Sequence, residues 1–344
     1  MNTYLKFIFI LFLLLIISIF ILIFVTLRSE KTIHQILYPQ YYGNRFPEEC
    51  FPPISNGKEY RGRVKIGYDL MKTKKVAILG LAYNLGEEKT HILMKRLSSL
   101  TKKFKDYRII IYAADSVDHT FGILKAYQKY NKKIILPDNE IDKTGCNRIE
   151  KMCRLRNSIK ETLVKTDFSP DYVICQDCDL ASSISHDGMA NSISYMNEWD
   201  AIFANGITNE FLFNWYIPFV GYFYYDSFAF VEDPENPIQG MKHRPVHGRG
   251  DPPFSVKSAF AGCAIYKYKM FMKYDYEERK RNMCEHVSFH RQMYHDGYRL
   301  GVNPSLLLIS GRQGEGTHKT SLKTHYGKEG YRVPITLDES FNIF

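Results

Sequence analysis

The chain has 344 residues, of which 45% are hydrophobic and 24% are charged. This is enough apolar material for one large core or two modest ones, so disorder is not the expected state. The formal net charge is +9, but Lys and Arg are spread along the chain in short groups, without an arginine-rich tail or a zinc-finger spacing. This distribution argues against nucleic acid as a partner and favours a solvated basic surface.

Residues 7–27 form an apolar run that one Ser and one Thr interrupt. At a rise of about 1.5 Å per residue, a helix of this length spans the roughly 30 Å hydrocarbon core of a bilayer. The run is longer than the apolar part of a typical cleaved signal peptide, so it predicts an uncleaved anchor with the lipid bilayer as a partner. The flanking charges, Lys6 on one side and Arg28 with Lys31 on the other, do not decide the orientation.

The anchor has only a short tail, residues 1–6, before it, and the rest of the chain follows it. The folded part must therefore lie wholly on one side of the membrane, and we expect a single-pass protein of type II orientation. If the membrane belongs to a secretory pathway (Golgi or ER, in a eukaryotic or viral setting), that side is the lumen. Residues 28–70 show no sustained period and predict a stem, followed by a folded domain at 71–320 and a tail at 321–344.

The seven cysteines are an odd number at irregular spacing, and an odd number leaves at least one unpaired or paired between chains. Two bridges are compatible with an oxidising lumen, Cys146 with Cys153 and Cys263 with Cys284, but the sequence demands neither. Cys175 and Cys178 match a CxxC. Because residues three apart on a strand face opposite sides and no second pair exists, we do not expect a zinc or redox site.

From residue 75 the sequence alternates between strand and helix patterns. Continuous apolar runs predict buried strands, at residues 76–82, 108–113, 133–136 and 171–176. Apolar residues at helical spacing predict intervening helices, at residues 93–104, 119–130 and 148–165. This order predicts an α/β fold with a mostly parallel sheet covered by helices on both faces. After a further strand at 199–205, loops and short helices through residue 258 are expected to complete a substrate cleft.

Polar clusters follow three of these strands: Tyr83-Asn84, Asp115-Ser116-Val117-Asp118 and Asp177-Cys178-Asp179. In open sheets of this kind the ligand crevice lies beyond the carboxyl ends of the strands. The carboxylates of Asp177 and Asp179 suit Mn²⁺ or Mg²⁺, and such an ion can bridge a diphosphate and neutralise the charge that develops on a leaving group. A DxD alone occurs in many surface turns, so its position after a buried strand carries the prediction.

The helix that leads into this last strand carries several basic residues. Arg148 and Arg156 are eight residues apart and therefore share one side of the helix. They could bind phosphate oxygens bidentately, with Asn157 beside them. The alternative is a solvated basic face.

Several short blocks precede and follow the two aspartates: VAILGLAYN at 76–84, FKDYRI at 104–109, DSVDHT at 115–120, RLRN at 154–157, DYVI at 171–174, YYD at 224–226 and CEH at 284–286. In order and spacing they resemble the blocks of GT-A glycosyltransferases related to the fungal capsule-associated α-1,3-mannosyltransferase group, over roughly residues 75–310. The resemblance implies a GT-A-like (Rossmann-like) sheet. It also implies sugar transfer from a nucleotide-sugar donor to a hydroxyl of a glycan, glycoprotein or lipid-linked acceptor.

The resemblance further implies roles for individual residues. It puts Asp115 and Ser116 near the nucleotide base or ribose, and Asp177 and Asp179 near the metal and diphosphate. The complete set of donor-binding candidates is Tyr83, Asn84, Asp115, Ser116, Asp118, Arg148, Arg156 and Asn157. Two departures leave the donor contacts open, because Tyr83 stands where similar sequences often carry Arg, and Ala114 stands where an acidic or amide residue is common.

Asp226 and Glu285 match blocks near the acceptor or reacting carbon. Either carboxylate is a candidate for the general base that deprotonates an acceptor hydroxyl, or for stabilising an oxocarbenium-like transition state. The structural alternatives are that Asp226 caps a turn and that Glu285 pairs with Arg281. His318, in the glycine-rich segment after the last apolar run, is the candidate third metal ligand; the alternative is a loop histidine in solvent.

Two other functions stay open at this point. A membrane-bound nucleotidyltransferase or phosphohydrolase could use the same two aspartates and a metal, although neither a GxxxxGK[ST] P-loop nor an HExxH motif occurs. An anchored carbohydrate-binding protein could also keep a transferase-like fold without activity.

Overall fold

The structure is a computed structural model, and it describes residues 3–28, 43–53, 56–137, 141–212, 217–226, 228–232, 248–278 and 283–312. Its strands are β1 (Lys75–Leu81), β2 (Asp106–Tyr112), β3 (Ile134–Ile135), β4 (Tyr172–Asp177), β5 (Ala201–Leu212), β6 (Ile217–Tyr224), β7 (Val231–Glu232), β8 (Phe254–Ser258), β9 (Cys263–Lys267) and β10 (Leu300–Arg312). Its α-helices are α1 (Thr3–Arg28), α2 (Gly57–Met71), α3 (Gly86–Thr101), α4 (Thr120–Tyr130), α5 (Arg148–Val164), α6 (His186–Ser194), α7 (Tyr268–Lys273) and α8 (Glu285–His295).

Within the described ranges the strands form one mixed sheet in the order β3-β2-β1-β4-β9-β5-β10-β8-β7, with β6 paired to β5. The first four strands are parallel to one another, and Leu81 lies opposite both Tyr112 and Asp177. The predicted α/β fold, a sheet flanked by helices, is confirmed. The parallel arrangement holds for β1–β4, whereas β9 runs antiparallel between β4 and β5.

The buried strands and the apolar helix faces explain this core. Four consecutive residues at the centre of β1, Val76 to Leu79, are almost fully buried because the sheet is covered on both faces. In α5 the side chain of Asn147 caps the helix N-terminus. The Glu150 side chain accepts the Asn147 backbone N–H, which completes a capping box. Leu155, Ile159 and Leu163 of α5 are buried, as the helical spacing predicts.

The region after residue 205 differs from the sequence-based expectation. Instead of loops and short helices, β5 continues to Leu212 and pairs with antiparallel β6, and β7 and β8 add further strands. The aromatic residues of this region are good strand formers, and the strands they form make the sheet mixed.

The segment that the sequence assigned to a stem also differs from its expectation where the structure describes it. Residues 57–71 form α2, and Gly67 packs so closely on α6 that a Cβ would come within 1.7 Å of the carbonyl oxygen of Ala190. Further towards the N-terminus, Phe46 and Phe51 are buried with apolar side chains of β5 and β10. Buried aromatic side chains and a close helix contact therefore attach this segment to the sheet.

The N-terminal helix α1 stands apart from this core. Its most apolar stretch, Tyr4–Leu22, has a mean hydropathy of 3.1, and none of it is buried. The helix is long and apolar enough to cross a membrane, and a signal sequence would have the same properties. All seven cysteines are free thiols, so neither of the two possible bridges is formed.

Candidate active site

The loops after β1 and β2 are joined by hydrogen bonds at the carboxyl edge of the sheet. The Asn84 backbone N–H donates to the hydroxyl of Ser116 at 3.2 Å, and the Val117 N–H donates to the Asn84 side-chain oxygen at 2.9 Å. Asn84 has a φ of 48°, in the left-handed region that Asn tolerates better than most residues. The structure thus brings together Asn84 and Ser116, both predicted to bind the donor.

Asp118 uses its carboxylate to hold these loops in place. One oxygen accepts the Gly86 N–H at 2.7 Å at the start of α3, and the other accepts the Thr120 N–H at 3.0 Å at the start of α4. Burial raises the pKa of Asp118, but the hydrogen bonds from Thr120 and Gly86 outweigh this effect and lower it overall. Both oxygens therefore serve the architecture of the crevice.

Asp115 has two cationic partners that the sequence did not predict. Its carboxylate accepts a hydrogen bond from the Tyr112 hydroxyl at 3.0 Å, forms an ion pair with Lys143, and lies 3.5 Å from the ammonium of Lys151. Burial raises the pKa of Asp115, but Lys143 and the Tyr112 hydroxyl bring it below its usual value. Tyr83 is 60% exposed beside this cluster, with the Lys151 ammonium 5.9 Å from its ring centroid.

Asp177 and Asp179 lie at the carboxyl end of β4, on the same edge. Cys178 between them is buried, whereas Asp177 is half-buried and Asp179 is exposed. Burial and the like charge of Asp179 raise the pKa of Asp177 to about 7. The Asp177 N–H donates to the carbonyl of Gly262 at 2.9 Å, which fixes its backbone. Two neighbouring carboxylates therefore face the crevice and repel each other.

A third carboxylate, that of Asp226, belongs to the same electrostatic cluster. The hydroxyl of Tyr225 donates to Asp177 at 3.4 Å, and the next residue, Asp226, has a φ of 67°. The Tyr225 N–H donates to the carbonyl of Gly206 at 2.8 Å, which fixes the backbone before Asp226. Burial and the charges of Asp177 and Glu285 raise the pKa of Asp226 to about 8. This half-buried carboxylate therefore interacts electrostatically with Asp177.

Glu285 is the first residue of α8 and is buried with Arg156. The Arg156 Nε donates to Glu285 Oε1 at 3.1 Å, and the two side chains are 7% and 6% exposed. Arg148 and Arg156 were expected to share one accessible face of the helix. They do not, because Arg148 is exposed while Arg156 is buried. A second face of α5 is buried against the chain around residue 276, and helical spacing alone could not reveal that. Arg281, the alternative partner of Glu285, lies outside the described residues.

Asn157, next to Arg156, bonds to a backbone segment far along the chain. Its side-chain amide donates to the Tyr276 carbonyl, and its oxygen accepts the Tyr276 N–H, each at 2.9 Å. Both polar groups of the Asn157 side chain therefore hold this segment against α5.

An arginine that the sequence did not single out braces the chain after Asp179. The guanidinium of Arg96 donates to the carbonyls of Leu180 and Ala181, each at 2.7 Å, and of Ser182 at 2.9 Å. Three consecutive carbonyls that accept from one half-buried cation fix the chain that follows the DxD. The sequence signal that could have identified Arg96 is its helical spacing, which puts an arginine on the inner side of α3.

The carboxylates of Asp177 and Asp179 fit a hard divalent cation. Across the part of the chain that the structure describes, no three His, Cys, Asp or Glu side chains gather to hold a metal ion, and His318 lies outside the described residues. Mg²⁺ in particular is often bound by one or two carboxylates, with water and substrate phosphates as its other ligands. Two accessible carboxylates at a sheet edge are such a donor set.

Neither a protein-family model nor a curated protein matches the chain. Solved structures with some similarity include the mannosyltransferase PcManGT from Pyrobaculum calidifontis in complex with GDP-Man and Mn²⁺ (11% identity, TM-score 0.44, 76% of this chain and 68% of that one). Others are S. aureus TarS 1-349 with UDP-GlcNAc (14%, 0.44, 72% and 61%) and GalNAc-T7 with UDP, GalNAc and Mn²⁺ (13%, 0.46, 78% and 55%). The aligned part of this chain thus spans 55 to 68% of these structures.

Proposed function

We propose that the chain is a glycosyltransferase of the GT-A type that uses a divalent metal to transfer a sugar from a nucleotide-sugar donor to a hydroxyl. The observation that carries this proposal is the position of Asp177 and Asp179 at the carboxyl end of β4. They share that edge with the hydrogen-bonded loops after β1 and β2, and with Asp226. A crevice there, lined by oxygen ligands, matches what a nucleoside diphosphate with its metal requires.

In this proposal Asp177 and Asp179 hold Mn²⁺ or Mg²⁺, which would neutralise charge on the departing diphosphate. The edge formed by Tyr83, Asn84 and Ser116 binds the nucleoside, because it offers an exposed ring and polar groups on connected loops. His318 remains the proposed third metal ligand.

Asp226 is the proposed carboxylate for the acceptor side. It is half-buried, and the charge of Asp177 contributes to the raised pKa of this carboxyl. A carboxylate in this position could accept the proton of an acceptor hydroxyl as the sugar is transferred, or stabilise positive charge at the reacting carbon.

The acceptor in this proposal is a glycan, glycoprotein or lipid-linked sugar, and the chain is a single-pass type II membrane protein with its domain in the lumen of the secretory pathway. The unburied apolar stretch of α1 supports the anchor. Protease treatment of sealed microsomes that carry a C-terminally tagged chain tests the orientation. Complete digestion of the tag without detergent would contradict it.

Nucleoside diphosphate release by the detergent-solubilised full-length protein tests the activity. GDP-mannose is the first donor to assay, because of the resemblance to capsule-associated mannosyltransferases, followed by UDP-sugars. We expect release that depends on Mn²⁺ or Mg²⁺ and stops on chelation. Asp179→Asn should reduce it by on the order of 100-fold or more without changing the unfolding midpoint. Asp69→Asn, at an exposed carboxylate paired with Lys72 on α2, is the matched control.

Three outcomes would contradict this proposal. Full turnover by Asp179→Asn would remove the metal assignment. Release of pyrophosphate would favour a nucleotidyltransferase. Glycan affinity that is unaffected by chelator, without turnover of any donor, would indicate a carbohydrate-binding protein.

A further inference from the structure

Two carboxylates of the candidate active site depend on a single short turn, Phe260-Ala261-Gly262. The Gly262 carbonyl accepts the Asp177 N–H at 2.9 Å, and Ala261 packs against Gly206, whose carbonyl accepts at 2.8 Å the N–H of Tyr225, the residue before Asp226. A shift of this turn would therefore move a proposed metal ligand and the proposed acceptor-side carboxylate together.

The backbone conformation of this turn is unfavourable, so contacts with the surrounding structure must stabilise it. Ala261 has a φ of 50° and Gly262 a φ of 84°, both in the left-handed region. For Ala this conformation costs roughly 1 kcal/mol or more, so the surrounding structure must impose it. Gly206 helps to do so, because a Cβ at this glycine would come within 2.4 Å of the Ala261 carbonyl oxygen.

The remaining support comes through the ring of Phe260, which is buried between two side chains. The His286 ring stacks on it with centroids 3.9 Å apart and an interplanar angle of 17°. The Arg156 guanidinium carbon lies 5.3 Å from the centroid of the same ring. Arg156 is in turn fixed by Glu285, the residue before His286. One ion pair and one stacked ring thus hold Phe260.

The other groups around this cluster agree with a supporting role. Burial lowers the pKa of His286 well below its usual value, and neither of its ring nitrogens has a hydrogen-bond partner within the described residues. Its Nε2 lies 3.8 Å from Glu285 Oε1, beyond hydrogen-bond distance, so this neutral imidazole contributes mainly an aromatic surface. Arg156 is almost fully buried, so its guanidinium is not accessible to a phosphate in the crevice.

We propose that Arg156, Glu285 and His286 are positioning residues that hold the Phe260-Ala261-Gly262 turn, and through it Asp226 and Asp177, in their working arrangement. This inference rests on the proposed function and deepens it. It assigns Arg156 to Glu285 instead of the donor phosphates, and it removes Glu285 from direct contact with the acceptor.

Steady-state kinetics separate positioning from donor binding. Arg156→Lys keeps the charge but loses the planar guanidinium. We expect its kcat to fall at least tenfold, with the KM for the nucleotide sugar within about twofold of wild type. His286→Phe keeps the stacked ring and should stay within about threefold of wild-type kcat, whereas His286→Ala should lose at least tenfold. Arg154→Lys, at an exposed neighbour on α5, is the matched control and should change neither constant.

Two kinetic results would overturn the proposal. A KM for the donor that rises tenfold in Arg156→Lys, with kcat preserved, would mean that Arg156 binds the donor. A loss in His286→Phe as large as in His286→Ala would mean that the imidazole nitrogens, and not the ring surface, are needed.

Thermal unfolding tests the arrangement without relying on turnover. Arg156→Met and Glu285→Leu should each lower the unfolding midpoint. In the double variant the midpoint should fall by less than the sum of the two single shifts, because no buried charge is left without its partner. Strict additivity would refute the pair. If the wild type turns over no nucleotide sugar with metal, the proposed function fails, and this comparison still decides whether the pair exists.

Discussion

The Sγ atom of Cys178 lies so close to Gly80 that a Cβ on the glycine would come within 2.6 Å of it. Gly80 belongs to β1, and Cys178 directly follows the paired strand β4. Cys178 is buried over Gly80, whereas Asp177 before it is half-buried and Asp179 after it is exposed. The absence of a side chain on β1 thus makes room for Cys178 between the two acids.

Replacing Gly80 with Ala should disturb this arrangement. The added methyl group must displace Cys178, and overpacking of a dense core usually costs about 1–3 kcal/mol. Because the two aspartates flank Cys178, we expect metal-dependent donor turnover to fall by on the order of tenfold to 100-fold. Chemical denaturation and nucleoside diphosphate release measure the two effects.

The double variant Gly80→Ala/Cys178→Ala is the control for this mechanism. Removing the sulfur gives the new methyl group room, so stability and turnover should both recover most of the loss. Cys178→Ala alone should cost about 1 kcal/mol for the small cavity. If the double variant is no better than Gly80→Ala, contact with Cys178 is not how Gly80 supports the site.

The residues at the carboxyl edge of the sheet could be predicted, because the sequence patterns that determine the strands are local. A strand buried on both faces needs a continuous apolar run, and parallel strands that share a helix-covered sheet end at one edge. The runs at β1, β2 and β4 therefore predicted neighbouring parallel strands, with Asn84, Ser116 and Asp177 at their carboxyl ends. The structure adds the hydrogen bonds that join Asn84 to the loop of Ser116.

The deeper part of the site could not be predicted, because it depends on contacts between distant residues. Arg156 and Glu285 are 129 positions apart. A basic residue on a helix has the same spacing whether that face meets water or a buried carboxylate. The segment from Phe46 to Met71 presented the same problem, since its few large side chains, without a sustained period, resemble those of a linker until the sheet that buries them is known.

A buried ion pair attaches this N-terminal segment to the domain. The Arg249 guanidinium contacts the Glu48 carboxylate and donates to the Phe51 carbonyl at 2.6 Å and the Tyr60 hydroxyl at 2.7 Å. Arg249→Met should leave the Glu48 carboxylate without its cation. Removing one partner of a buried pair costs about 3–5 kcal/mol. We therefore expect a large fall in the denaturation midpoint of the detergent-solubilised protein.

An exposed pair on the same segment supplies the comparison. Arg45 and Glu49 lie 3.5 Å apart, with 77% and 69% of their side chains exposed. Arg45→Met should change stability by less than about 0.5 kcal/mol, because exposed pairs contribute little. Equal effects of the two substitutions would show that the Arg249 contacts do not hold the segment.

His290 should make the stability of the domain depend on pH. Its ring is fully buried, with Nδ1 2.9 Å from the Ser258 hydroxyl and Nε2 2.7 Å from the Tyr266 hydroxyl, and it lies against the ring of Phe203. Burial, together with the charge of Arg156, lowers the pKa of His290 to about 3. In the unfolded chain a histidine titrates near 6.5.

The sign of this effect follows from which state binds the proton. Below about pH 6.5 the unfolded chain gains a proton at this position while the folded protein does not, so acid stabilises the unfolded state. Between pH 7 and 5 the difference amounts to about 2 kcal/mol lost from the free energy of unfolding.

His290→Gln cannot titrate, so the stability difference between wild type and variant should shrink by that amount over this range. His286, whose centroid is 5.7 Å away, also stays neutral because burial lowers its pKa, and its contribution cancels in the comparison. Urea denaturation of both proteins at pH 7, 6 and 5 gives the two curves, and a gap that does not change with pH would mean that His290 takes up its proton equally in the folded and unfolded states.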